Sequence, residues 1–405
     1  MRSHCRAYAL RDVVLLGWHD HIAGQWSYRQ LAADDNWRHG WISFDALRWN
    51  SDDRRLYCGL NSIDGDLLYS FDPEHGCFNC LRTQRWTDAF DSKIHRTLLW
   101  NPVDASLYFG TSLLHDADDQ HAAPGGKLVR YSPAEDAYEM LGIPEPHLYI
   151  QSIAGDFARG IVYAFTYPAE FVVRFDLATR TGRRLAYIGN AIMFAQPHNA
   201  VVDKHGCLWG TYAETRAWDE TIGRVPIRLF KYNPDTDHFD WFEHGLARKS
   251  DEQQLIADPP KPANATVALA ETRHREDFGF CDSMAYDGDR YIYAGTVAGV
   301  LCRIDVETAR VEKIAHVMAT SRFPALQLDA RGVLYGGGGM KGHTQVIRWD
   351  PRTDKIDDLG PLVDPNIGER PARIHELAVD DHGRVYLAEN DNHVRSSYLW
   401  VLEPR

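Results

Sequence analysis

The phrase "PHNAVVDKHGCLWGT" (197–211) returns near the end of the chain as "IHELAVDDHGRVYLA" (374–388), each copy with a histidine five residues before an aspartate and then a glycine and an apolar strand. Working outward from these two copies, the second half of the phrase occurs seven times, as "RRLYCGL", "ASLYFGT", "GIVYAFT", "GCLWGTY", "RYIYAGT", "GVLYGGG" and "GRVYLAE". Each is followed by a strand ending in an aromatic or apolar residue next to Asp, Ser, Asn or Glu: "LLYSFDP", "KLVRYSP", "FVVRFDL", "RLFKYNP", "VLCRIDV", "QVIRWDP" and "YLWVLEP". A repeat of roughly 40–50 residues carrying four short strands is the signature of a propeller blade. Seven copies predict an all-β, seven-bladed β-propeller filling residues 1–405 as a single domain.

The expected blades are approximately 41–81, 91–141, 147–189, 196–246, 277–317, 321–360 and 372–405, with a polar insertion at 247–276 and a lengthened loop at 213–227. The last unit stops after its third strand. The apolar run within 11–20, "RDVVLLGWHD", is the expected fourth, closing the ring and removing edges that would otherwise pair with other chains.

Composition agrees with a turn-rich β chain: 12 Trp, 19 Tyr, 16 Phe and 31 Gly among 405 residues. A net charge of −13 argues against general nucleic-acid or anionic-membrane binding, but not against one cationic pocket. No apolar run is long enough for a membrane helix, and the N-terminus makes a poor signal peptide, so a cytoplasmic location is expected. The seven cysteines include a single CxxC (Cys77 and Cys80) with no second pair to complete a zinc site, and read as mostly buried small hydrophobes.

The first strand of a blade lines the central channel. Stacking the seven units yields one channel-mouth position per blade: Phe44, His95, Gln151, His198, Asp282, Pro324 and His375. Three histidines in one column suit proton transfer or a divalent ion. The same rim is expected to hold His115, Tyr149 and Tyr167, and Arg322, Arg373, Arg395, Lys341 and His343, with Gln151, as substrate contacts. So many cations on one rim of an acidic chain suit a carboxylate-bearing ligand. By contrast, Arg130, Arg174, Lys231, Arg303 and Arg348 recur at one repeat position and read as blade scaffold. "GGGGMKGHT" is no P-loop, because a strand follows where a helix is required.

The stretches "DSKIHRTLLWNPVDASLYFGTSLLHD", "VYAFTYPAEFVVRFDL" and "IHELAVDDHGRVYLAENDN…RSSYLW" resemble the seven-bladed propeller polysaccharide lyases, a group that includes ulvan and rhamnosyl-glucuronate lyases. The likeness runs over nearly the whole chain at the level of the repeat. It implies β-elimination on a uronate-containing oligo- or polysaccharide: cations offset the carboxylate, a His or Tyr removes the C5 proton, and a Tyr or His protonates O4. His95 and His115 match the family's histidine pair, Tyr167 its tyrosine, with Tyr149 in reserve. Some relatives hold calcium or zinc, for which His198, His375 and Asp282 are the candidate ligands, and no organic cofactor is implied. "NAVVDKHGCLWGT" is also similar to phrases of virginiamycin-type lyases and gluconolactonase-like propellers. The lactonase alternative is disfavoured because it expects acidic calcium ligands where this chain has mostly histidine. A non-catalytic propeller that binds sugars or proteins is the reading from a different class.

Overall fold

The computed structural model describes residues 4–17, 26–190, 199–213, 227–251, 255–256, 277, 279–340 and 343–403. Seven antiparallel sheets follow one another along the chain, with inner strands Ile42–Asn50, Leu99–Asn101, Tyr149–Asp156, Ala200–Val202, Cys281–Tyr286, Ala325–Leu328 and Ile374–Val379. Between them lie seven apolar clusters, each drawn from two neighbouring sheets. One joins Leu47 and Leu60 of blade 1 to Ala378 and Tyr386 of blade 7, which makes the set a closed ring of seven blades.

The ring is closed by the N-terminus, but the closing strand is His4–Tyr8, which pairs with Leu399–Glu403 in the register His4 to Glu403, rather than the run within 11–20. "HCRAY" puts Cys5 into the core between blades 6 and 7. The more apolar "VVLLG" instead crosses the end of blade 7, bonding through Leu15 N to Val394 O and Ser396 N to Val13 O. Hydrophobicity marks 13–17 more strongly, yet Val14 and Leu16 are exposed, and the shorter strand has the alternation the vacant edge requires. Two short helices, Tyr28–Ala33 and Asp35–Gly40, stand outside the repeat, the first opened by a Ser27/Gln30 capping box.

The repeated phrase is a turn lock. Asp203 Oδ1 accepts from the amides of His205 and Cys207 while its Oδ2 accepts from Trp209 Nε1 at 2.7 Å. Asp380 does the same for His382, Arg384 and the Tyr386 hydroxyl. Gly206 and Gly383 take φ of +79° and +82° in these turns. The recurrent third-strand cations lie directly across from the aromatic column, Arg130 on Tyr108, Arg174 on Tyr163, Lys231 on Trp209, Arg303 on Tyr293 and Arg348 on Tyr335. They belong to the blade, as their periodicity predicts. All seven cysteines are free, and five are buried.

Candidate functional site at the channel mouth

Four inner strands share one irregularity. In blade 1 the register steps from Phe44–Leu60 to Ala46–Gly59, leaving Asp45 without a cross-strand partner. Gln151, Asp282 and His375 are skipped in the same way in blades 3, 5 and 7. A one-residue bulge turns the side chain that alternation would send elsewhere, so the four bulges aim four polar groups at one end of the channel. Blade 2 contributes through a different device. Its segment Asp91–Lys93 joins the sheet of blade 1, and the chain then passes through His95 and Arg96 before its own inner strand begins.

These groups enclose a cavity of about 160 Å³ lined by Lys93, His95, Arg96, Gln151, Arg322, Arg373, His375, Asn390 and Asp391. Four cations face three carboxylates there. Lys93 Nζ lies 2.8 Å from Asp45, and Arg373 Nη1 lies 2.6 Å from Asp391. Arg322 grips both oxygens of the fully buried Asp282 through Nε at 2.9 Å and Nη2 at 2.8 Å, and Phe323 N adds a third bond at 2.7 Å. Arg96 donates to Asn199 Oδ1 and to the Asp282 carbonyl, with Nη2 3.6 Å from the Asp282 carboxylate. Burial would raise the Asp282 carboxyl, but Arg322 and Arg96 outweigh it and hold it below its ordinary value. For Asp45, burial wins over Lys93 and the carboxyl is pushed up.

His95 and His375 meet at the centre, Nε2 to Nε2 at 3.1 Å with ring centroids 4.7 Å apart. His95 Nδ1 lies 2.7 Å from the Gln151 carbonyl oxygen and His375 Nδ1 3.0 Å from that of Asp45. A carbonyl only accepts, so both Nδ1 atoms carry hydrogen and both Nε2 lone pairs converge. One proton between them completes the contact. Burial, then Arg96, Lys93, Arg322 and Arg373, hold His375 well below the usual imidazole range. His375 is therefore held in its neutral form.

Backbone strain gathers here as well. Arg96, Arg322 and Asp391 have φ of +42°, +83° and +48°, the left-handed region that costs a side-chain-bearing residue about 1–2 kcal/mol each.

The structure brings together His95, His375, Gln151, Asp282, Arg322 and Arg373 among the residues singled out from the sequence. His198 and Lys341 lie outside the described residues. Of the remaining assignments, Phe44, Arg395, His343 and His115 are corrected, and the Tyr149/Tyr167 pair stands beside the cavity. Phe44 is buried against Phe78, and the mouth residue of blade 1 is its neighbour Asp45. Arg395 is no rim contact: it is buried, paired to Glu389 at 2.9 Å and stacked 3.7 Å over Tyr398. His343 is exposed at the start of His343–Asp350 and does not line the cavity. His115 does not line it either; its ring sits 5.9 Å from Phe90 and its Nδ1 donates to the Asp116 carbonyl. Tyr149 and Tyr167 oppose each other across two strands of blade 3, centroids 4.7 Å apart, beside the mouth rather than in its wall. Burial, Tyr167 and Glu170 push the Tyr149 hydroxyl upward, so it keeps its proton.

Both Asp282 oxygens are turned to Arg322, His198 lies outside the described residues, and among the described residues no three His, Cys, Asp or Glu groups are placed to hold a metal. Lys93, Arg96, Asn390 and Asp391 were missed by sequence reasoning. The first two stand within two residues of His95, in "DSKIHRT", so a cationic flank to a column histidine was the available signal.

No family model and no curated protein matches the chain. Among solved structures it is similar to the extracellular domain of BT4673 from B. thetaiotaomicron, with a TM-score of 0.53 and 13% identity over 89% of this chain. A second structure of that domain gives 0.53 and 14%. This chain spans 38% of those longer chains. It is also similar to the WD40 β-propeller domain of Doa1, with a TM-score of 0.50 and 11% identity over 90% of this chain and 98% of that one. These likenesses agree with the ring of blades: the chain has the β-propeller fold.

Proposed function

We propose that the protein is a propeller lyase that cleaves a glycosidic bond to a uronic acid by β-elimination at the channel mouth. The observation that carries this reading is the convergent His95–His375 pair set among Lys93, Arg96, Arg322 and Arg373. The uronate carboxylate meets the cations, which stabilise the negative charge that develops on it as C5 is deprotonated. The C5 proton moves into the slot between the two Nε2 atoms, where the ligand's charge offsets the cations that depress His375. The C5–H electrons form the C4–C5 double bond, the C4–O4 bond breaks, and O4 takes a proton from the Tyr149/Tyr167 pair. No step is routed through a metal.

The test is incubation with ulvan and with rhamnosyl-glucuronate oligosaccharides while following the ultraviolet band of a 4,5-unsaturated uronate. His95→Gln and His375→Gln should each lower the rate at least about 100-fold, the scale of general acid–base catalysis. No absorbance rise on any uronate would overturn the lyase reading. Saturable binding without that rise would favour a non-catalytic sugar-binding propeller.

A further inference from the structure

Below the mouth the channel opens into a larger cavity of about 430 Å³, lined by Arg48 and Glu376, by Leu98, Ile153, Val201, Met284, Leu326 and other apolar groups, and by Arg96, which it shares with the mouth. We propose that this inner chamber is a second binding site, for a small organic carboxylate held by Arg48.

Three observations carry the assignment. First, Arg48 makes no hydrogen bond or ion pair with any described residue, and its Nε is fully buried without a partner. The residue is only partly buried, and its two Nη groups, unlike Nε, stay accessible from the channel with no acceptor among the described residues, so the fork is open to a ligand in the chamber. Burial alone pulls Arg48 below its ordinary pKa, with no carboxylate opposing it. Arg96 likewise leaves Nε and Nη2 buried without a hydrogen-bond acceptor.

Second, the arginine is not blade scaffold. It stands three residues past the bulge at Asp45, a step at which blades 3, 5 and 7 carry Ala154, Ala285 and Ala378. Third, the chamber has the size of a ligand site, and its wall combines the Arg48 and Arg96 guanidinium groups with Glu376, Asn199 and Gln327 and with aliphatic side chains. A guanidinium binds a carboxylate in two parallel hydrogen bonds, and the aliphatic walls take up the organic body. Arg48 lies in the inner cavity alone, whereas Arg96 borders both cavities, so Arg48 is the residue that separates this site from the mouth.

The experiment is isothermal titration of the full chain with propanoate and, separately, with inorganic phosphate, on wild type, Arg48→Gln, Arg48→Lys and Arg373→Gln. Saturable propanoate binding is expected, weakened at least about tenfold by Arg48→Gln, the worth of a charge-assisted hydrogen bond, and less by Arg48→Lys. Arg373→Gln, at the mouth, should leave it in place. The ligand-free Arg48→Gln protein should melt no lower than wild type, because it loses an unpartnered charge. Undetectable propanoate binding, or equal affinity in Arg48→Gln, overturns the proposal. Loss in Arg373→Gln alone places the anion at the mouth and also overturns it, and binding of phosphate but not propanoate overturns the carboxylate assignment.

Discussion

Replacing Arg322 by Met tests how the mouth is held together. Asp282 has no exposed surface and Arg322 little, and the substitution removes two charge-assisted bonds of 2.8 and 2.9 Å. Asp282 keeps only Phe323 N and the more distant Arg96. Breaking one side of a buried pair costs about 3–5 kcal/mol, and Arg96 places the expected loss near the lower end, about 3 kcal/mol. Arg322→Gly should lose about 1 kcal/mol less than Arg322→Met, because glycine relieves the backbone at φ +83°. The double variant Asp282→Asn/Arg322→Met should be more stable than Arg322→Met alone, since the orphaned charge is gone.

The pH dependence has a definite sign. Asp282 is held below its ordinary value in the fold, so its contribution is complete above the usual carboxylate range and is lost as pH falls through the lower folded value. In Arg322→Met burial prevails and the carboxyl rises, so the deficit should shrink on acidification. Equilibrium urea unfolding followed by circular dichroism at pH 7 and pH 5 measures wild type, Arg322→Met, Arg322→Gly, Asp282→Asn and the double variant. A loss under about 1 kcal/mol for Arg322→Met, or a double variant as unstable as the sum of the singles, would refute the buried-pair argument.

Other outcomes follow from the same geometry. Arg395→Ala should cost about 3 kcal/mol of stability, seen as a lower melting temperature, because the buried Glu389 loses its cationic partner and keeps only neutral donors. His375 is depressed in the fold, so its contribution is complete above the unfolded imidazole pKa and is lost as pH falls below about 6.5; His375→Gln should flatten that limb of a melting-temperature profile. Burial raises the Glu376 carboxyl to about 7, so its penalty grows as pH rises from its ordinary range to 7; Glu376→Gln should raise the melting temperature at pH 8 and change it little at pH 5. Deleting residues 1–8 removes the strand paired to Leu399–Glu403 and exposes an open edge, so size-exclusion chromatography should show aggregation.

The periodic part of the molecule was legible residue by residue. The Tyr/Trp column, the aspartate that locks the turns of blades 4 to 7 and the cation opposite the aromatic of blades 2 to 6 all recur, and they sit where the repeat puts them. The site was legible only in part, because it is made of departures from the repeat. Alternation along Ile42–Asn50 favours Phe44 as the channel residue, and the bulge hands that place to Asp45. A bulge leaves no mark on hydrophobic periodicity. Arg395 failed for a different reason. Charge on a rim loop looks free in one dimension, and the buried Glu389 that claims it lies six residues away on the neighbouring strand.

The sequence by itself determined the blade and its number, since each blade is a local object of four short strands whose core pattern is written within about 45 residues. It also determined that the N-terminus must close the ring, because the last unit lacks a strand. Only the tertiary structure decided which strand closes it, since the vacant edge selects by alternation and fit rather than by hydrophobicity. Only the tertiary structure decided that His95 and His375, 280 residues apart, face each other at 3.1 Å, and that Arg48 stands in the channel without a partner. Those facts depend on how seven separate inner strands converge on one axis, and no window of the chain contains that information.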